Sequence, residues 1–237
     1  MEMRKKPTSN GAVRRPRYWM RGVEYSKELG IEGEVELLKF CANEQGDVSA
    51  RGVACLALGC FEYKPAVPIL VGLADHEDLG LVVNATRALS MIGSRKAVRP
   101  MISLAKNATR VEVRNRAIDV LGMLMDSRAE ETIVSILCDR GEAESTRCSA
   151  AAALGGLPQH GGPAVSCLLE ALKEPSALIR WTALNTLGIR GDQSTIPAIQ
   201  ACLVDQEIVP QLPSETTVAS AAENALRNLK VCAQPSS

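Results

Sequence analysis

The chain has 237 residues, 46% of them apolar, which is enough to bury a substantial core and excludes a disordered chain. Lys plus Arg equals Asp plus Glu at 27 each, which argues against a generally basic nucleic-acid binder, and no apolar run of about 18 residues offers a transmembrane helix. Aromatic residues make up only 3%, so the core is built from Ala, Leu, Val and Ile, side chains that suit closely packed helices.

The balanced charge conceals an asymmetry. Residues 1–30 carry eight basic groups against three acidic ones, an excess of five that the remainder must offset. Residues 1–16 read as a basic disordered leader: either a solubilising start or a flexible arm for an acidic partner, RNA or an anionic membrane surface. No signal-peptide apolar core follows it, and a soluble cytoplasmic protein is expected. Residues 17–31 contain Tyr18, Trp19 and Tyr25 and read as an N-terminal capping segment, and 231–237 as a tail. The eight cysteines form no C-x-x-C pair and are scattered through apolar segments, so they are expected to be reduced, buried and structural.

Between 32 and 230 the chain repeats itself. Leucines stand at 58, 89, 121, 154, 187 and 226, and four residues before each stands an alanine: Ala54, Ala85, Ala117, Ala150, Ala183 and Ala222. Four residues is about one helical turn, so Leu58, Leu89, Leu121, Leu154, Leu187 and Leu226 each share a helix face with an alanine that lets a neighbouring helix approach. Eight before each leucine, Ala50, Leu81, Val113, Thr146, Ile179 and Val218 extend the stripe. Glycine follows the leucine at 59, 122, 155 and 188, and is expected to end the helix in a left-handed turn. Upstream of each such B helix lies a second apolar period, the A helix, from Val35-Leu37-Leu38 to Ile196-Ile199-Leu203. Prolines 65, 68, 100, 163 and 197 fit first turns, Ser127 with Glu130 has capping-box spacing, and Ser94 is a further start signal. The expected units are 32–63, 64–94, 95–126, 127–159, 160–191 and 192–230, the last stretched by a Pro-bearing insertion at 207–214 that is either a functional projection or a tolerated insertion near a cap.

An A helix, a short turn, and a B helix reading Val/Ile-Arg, then Ala, then Leu-Gly resembles the HEAT-repeat family, and most closely the short bacterial HEAT-like repeats of the phycobilisome lyase type. The arginine of that pattern falls at Arg51, Arg114, Arg147 and Arg180, while Val82 and Ala219 replace it in the second and sixth units. The resemblance implies an all-α, right-handed α-solenoid of about six helical hairpins, armadillo-like, with a short N-terminal extension. It says less of function, because this scaffold hosts unrelated tasks.

Candidates for chemistry are sparse. His76 lies in an A–B turn and His160 before the fifth unit, neither with a spaced partner for a metal, so no metal site and no cofactor are expected. HEAT-type hydroxylases imply repeated His-Glu pairs on helices, and this chain has one, His76-Glu77, in a turn. What remains is the surface of the B helices, which in such arrays line the concave side; their outward positions hold Asn84, Arg87, Asn115, Arg116, Asp119, Trp181 and Asn185. Arginine and tryptophan there have the composition of a protein-binding surface, set against the alternative of ordinary solvated positions with Trp181 packed on a neighbour.

The main expectation is therefore a non-catalytic scaffold or adaptor that binds another protein or peptide segment along the concave face, as a monomer or weak oligomer, with nucleic acid disfavoured. The alternative is a lyase-associated subunit resembling the phycobilisome lyases, which attach or remove a bilin on a pigment protein. A DNA-repair role like that of HEAT-like alkylpurine glycosylases ranks last, since the folded part carries net negative charge and few aromatics.

Overall fold

The computed structural model describes residues 33–158, 162–213 and 216–232. Among them are twelve α-helices and no strand, apart from one isolated antiparallel bridge between Ile208 and Thr217. The helices form six A–B hairpins in chain order: α1 (Glu34–Ala42) with α2 (Val48–Cys60), α3 (Val67–Leu73) with α4 (Leu79–Ile92), and α5 (Val98–Asn107) with α6 (Val111–Leu124). Then follow α7 (Glu130–Cys138) with α8 (Glu144–Gly156), α9 (Gly162–Ala171) with α10 (Ala177–Arg190), and α11 (Ile196–Ala201) with α12 (Val218–Cys232). The result is an all-α solenoid. The basic leader, the 17–31 segment, His160 and the end of the tail lie outside the described residues.

Local chemistry sets the helix starts. Asp47, Asp78 and Ser176 cap α2, α4 and α10, each side chain accepting the backbone N–H three residues on. The third, fourth and sixth A helices are entered through a 3-10 turn capped by Ser94, Asp126 or Asp192. Asp126 takes the capping role that the spacing assigned to Ser127: it stands just before the 3-10 turn, and its carboxylate accepts the Arg128 N–H at 3.1 Å. Prolines 65, 68, 100, 163 and 197 all fall in first turns.

The core is one continuous cluster running the length of the array, and the Ala–Leu ladder is its spine. Ala54, Ala85, Ala117, Ala150, Ala183 and Ala222 are buried, as are Leu58, Leu89, Leu121, Leu154 and Leu187. Leu226 is half-buried, and Leu229, one turn on, is the fully buried leucine of the last helix.

The glycine after the leucine does not end the helix. Left-handed glycines stand instead at Gly93 and Gly191, at the C-caps of α4 and α10, and Met125 takes that conformation after α6. Gly59, Gly122 and Gly188 sit inside their helices, where a Cβ would lie 2.8, 2.9 and 2.7 Å from the Cα of Ala88, Ala153 and Ala225 on the next B helix. They are contact points: absence of a side chain lets successive B helices touch backbone to backbone.

The ladder arginines join units. Arg114 donates to the Ala108 carbonyl at 2.9 Å, just past its own A helix, and reaches Glu142 of the next unit at 2.6 Å. Arg147 donates to the Leu137 carbonyl at 2.9 Å and to Glu174 at 3.0 Å. Arg180 donates to the Glu174 and Pro175 carbonyls and grips Asp205 and Glu207 at 2.8 and 2.6 Å. Each guanidinium thus satisfies carbonyls at the end of the A segment of its own hairpin and neutralises an acid in the following turn. In the second unit, where Val82 replaces the arginine, Arg110 of the third unit reaches back to the His76 and Glu77 carbonyls.

Glu207 belongs to the insertion, which is therefore held down at this end. The insertion is pinned further by backbone bonds from Val209 to Thr216 and from Val218 to Glu207, and Val209 is fully buried. The cysteines also depart from expectation. Cys138 on α7 and Cys167 on α9 are joined as a disulfide across 6.5 Å between Cα atoms, linking two neighbouring A helices. Sequence spacing gave no hint of it, because the partners lie 29 residues apart and meet only when the hairpins stack. Cys41, Cys55 and Cys60 are buried. The Cys55 thiol points at the Cys41 sulfur 3.6 Å away, a contact that together with burial holds it protonated.

Candidate functional site: a groove between B helices

The outward ladder positions separate into two groups. Arg87 on α4 and Arg116 and Asp119 on α6 converge on one groove of about 340 Å3, floored by Val83, Val120, Met91 and Met123, with Thr86 and Ser90 alongside. Arg116 and Asp119 form an i,i+3 ion pair at 3.3 Å, both side chains about half exposed. Burial against the groove pushes the Asp119 carboxyl above its ordinary range, and Arg116 offsets this only in part. The Thr86 and Ser90 hydroxyls donate to carbonyls of their own helix, at 2.8 Å to Val82 and 3.2 Å to Thr86. They line the wall with satisfied oxygens rather than reactive ones.

The other expected residues are committed to packing. Asn84 sits against Gly52 of the preceding B helix, so close that a Cβ there would meet its amide nitrogen at 2.5 Å. Asn115 donates to the Ser145 hydroxyl of the next unit at 3.3 Å. Trp181 is half-buried against the core, and Asn185 donates to the Trp181 carbonyl at 2.8 Å. The structure therefore brings together Arg87, Arg116 and Asp119 and leaves Asn84, Asn115, Trp181 and Asn185 outside this groove.

Sequence reasoning missed Met91 and Met123, which supply much of the groove's apolar surface. A signal was present: each stands two residues after a ladder leucine, and Ile189 repeats the position in the fifth unit. Reading the leucine as the last helical residue hid it, since α4, α6 and α10 continue three residues beyond. Met123 and Ile189 are 66% and 63% exposed.

HEAT repeats, as a family model, match residues 35–122 and 131–211, more than half of the chain. The chain belongs to the HEAT-repeat family. Within it, this HEAT-repeat protein is similar to the bilin biosynthesis protein PecE of Mastigocladus laminosus, 30% identical over 167 residues, covering 69% of this chain and 60% of that one. The PecE of Nostoc sp. (strain PCC 7120) is 26% identical over 164 residues, covering 69% of this chain and 63% of its own. The match thus spans about three-fifths of the length of these relatives. Among solved structures, a designed armadillo repeat protein superimposes with a TM-score of 0.51 at 18% identity, covering 83% of this chain and 100% of that one, which shows the solenoid fold. Among the described residues no helix is long and apolar enough to cross a membrane, and no group of His, Cys, Asp and Glu could hold a metal ion.

Proposed function

We propose that this HEAT-repeat protein acts as a subunit in the handling of a bilin, helping to attach it to or remove it from a pigment protein, with the α4–α6 groove as working surface. The observation that carries the reading is the 30% identity to PecE over 167 residues, which favours the lyase-associated alternative over a purely non-catalytic scaffold. The chemistry of the groove is compatible. An open-chain tetrapyrrole presents a conjugated apolar body and carboxylate side groups; Met91, Met123, Val83 and Val120 offer apolar surface, and Arg87 and Arg116 offer cationic donors. No nucleophile or metal enters the reading. The chain's share is to bind and orient, in the cytoplasm and with another protein as partner.

Co-expression with an apo-phycobiliprotein subunit, the enzymes that make its bilin, and a candidate second HEAT-repeat subunit tests it. Covalent pigment is read by zinc-enhanced fluorescence of the denatured chromoprotein. Pigmentation should change when the chain is present, and Arg116→Glu, which leaves the ladder untouched, should reduce that change about tenfold. Pigmentation indifferent to the chain would sink the bilin reading. Capture of a protein partner lost with Arg116→Glu but without pigment transfer would instead support the scaffold reading, which uses the same exposed Arg116–Asp119 rim.

A further inference from the structure

Three of the four ladder arginines are closed by a carboxylate of the following unit: Arg114 by Glu142, Arg147 by Glu174, Arg180 by Asp205 and Glu207. Arg51 is not. Its Nε donates to the Cys41 carbonyl at 3.1 Å, and neither Nη atom has a partner among the described residues, although the residue is only 2% exposed. The guanidinium of an otherwise buried side chain thus lines an open cavity, where an anion can meet the two Nη atoms.

The place of the missing acid can be identified. Glu174 stands two residues before Ser176, the cap of its B helix; the second residue before the cap Asp78 is His76. The acids beside His76 do not substitute for it. Asp75 pairs with Arg110 at 3.8 Å, and Glu77 is exposed, with its carbonyl accepting from the same arginine at 2.9 Å. Between the first two hairpins this leaves a cavity of about 420 Å3 lined by Arg51, His76, Glu44, Ile69, Gly72 and Leu73 among others. Gly72 adds room, since nothing lies within 4 Å of where its Cβ would be. His76 Nδ1 accepts the Asp78 N–H at 3.0 Å, which places the ring proton on Nε2 as a donor.

We propose that this junction is a carboxylate-binding site, with the Arg51 Nη atoms gripping the anion, His76 Nε2 adding a donor, and Ile69 and Leu73 receiving a short aliphatic stem. A single carboxylate fits better than a phosphate. One guanidinium balances one negative charge, and Glu44 at the rim would repel a second. The same chemistry comes from a free organic acid or from an Asp or Glu side chain of a partner polypeptide. The site is separate from the α4–α6 groove and does not depend on the bilin reading.

The test is thermal unfolding of the full chain titrated with sodium butyrate, or with a blocked Ala-Glu-Ala peptide carrying one carboxylate, at constant ionic strength. Arg51→Gln removes a buried anchor and risks misfolding, so the informative variant is His76→Glu, which returns a carboxylate to the position Glu174 holds. Wild type should gain melting temperature saturably, by mass action. His76→Glu should melt higher without ligand and bind either probe about tenfold more weakly or worse. A response to butyrate identifies a free acid as sufficient; a response to the peptide alone identifies a polypeptide side chain. No saturable shift in wild type with either probe, or an equal shift in His76→Glu, overturns the proposal.

Discussion

Asp126 shows how much one carboxylate can carry when it is nearly closed off from water. Its side chain is 6% exposed, and it accepts from the Arg128 N–H at 3.1 Å and from Arg128 Nε and Nη2, both at 2.8 Å, with Arg95, in the turn that enters α5, at 3.6 Å. The Arg128 side-chain bonds are the main reason its carboxyl is held down to about 2. A folded-state pKa below the unfolded one means that the stabilisation is fully present above the ordinary carboxyl range and is lost as pH falls through it toward about 2. Glu174, held down by Arg147, and Asp192, held down by Ser194, act in the same direction. Asp126→Asn should therefore cost about 2 kcal/mol at neutral pH and flatten the acid limb of the stability profile, as followed by urea unfolding across that pH range. A parallel acid limb in the variant would show that Asp126 does not set it.

For the helices, the deciding contact is between successive B helices. Gly59→Ala would push a methyl group into the Ala88 backbone, 2.8 Å from its Cα, and neither helix can yield without moving its hairpin. A loss of about 2–3 kcal/mol is expected, of the order of an overpacked core. Gly72→Ala, in α3 and facing open space, should instead be neutral or stabilise by up to about 1 kcal/mol through helix propensity. Denaturant midpoints of the two variants check the pair; similar effects at both sites would rule out the close-approach account. The ladder of alanines and leucines was legible because a helical period and a unit of about 32 residues leave their mark on sequence directly. The glycines were legible as present but not as to role, since a helix end and a backbone contact ask for the same residue. The same ambiguity hid the groove's methionines, while Arg87, Arg116 and Asp119 could be read from register alone. Trp181 and Asn185 were indistinguishable from them until their neighbours were known, and the Cys138–Cys167 link needed the stacking of hairpins to bring the two sulfurs together.

Across the whole molecule, the ladder-arginine links run one way. Arg114, Arg147 and Arg180 each find their carboxylates in the unit that follows, so in these three links the earlier hairpin supplies the guanidinium, whereas Arg110, off the ladder, reaches backward to Asp75. Deleting the sixth hairpin, with the chain ending at residue 191, removes both carboxylates that Arg180 grips. Deleting the first, with the chain starting at 64, breaks no such link, because Arg51 has no carboxylate to lose. The first deletion should cost about 2 kcal/mol more than the second, the order of charge-assisted hydrogen bonds lost, measurable as the difference in urea-extrapolated stability. Equal costs would mean that the links are passengers on helix packing.

This directionality has a temporal face. On a ribosome the chain emerges amino end first, so the third, fourth and fifth hairpins each leave the tunnel with a guanidinium held near the carbonyls it will cap and its acids still 25 to 28 residues behind, unmade. Each newly synthesised turn then closes a bond on the structure before it, and the half-built array advertises at its growing edge a single cationic slot shaped for the next carboxylate and for little else.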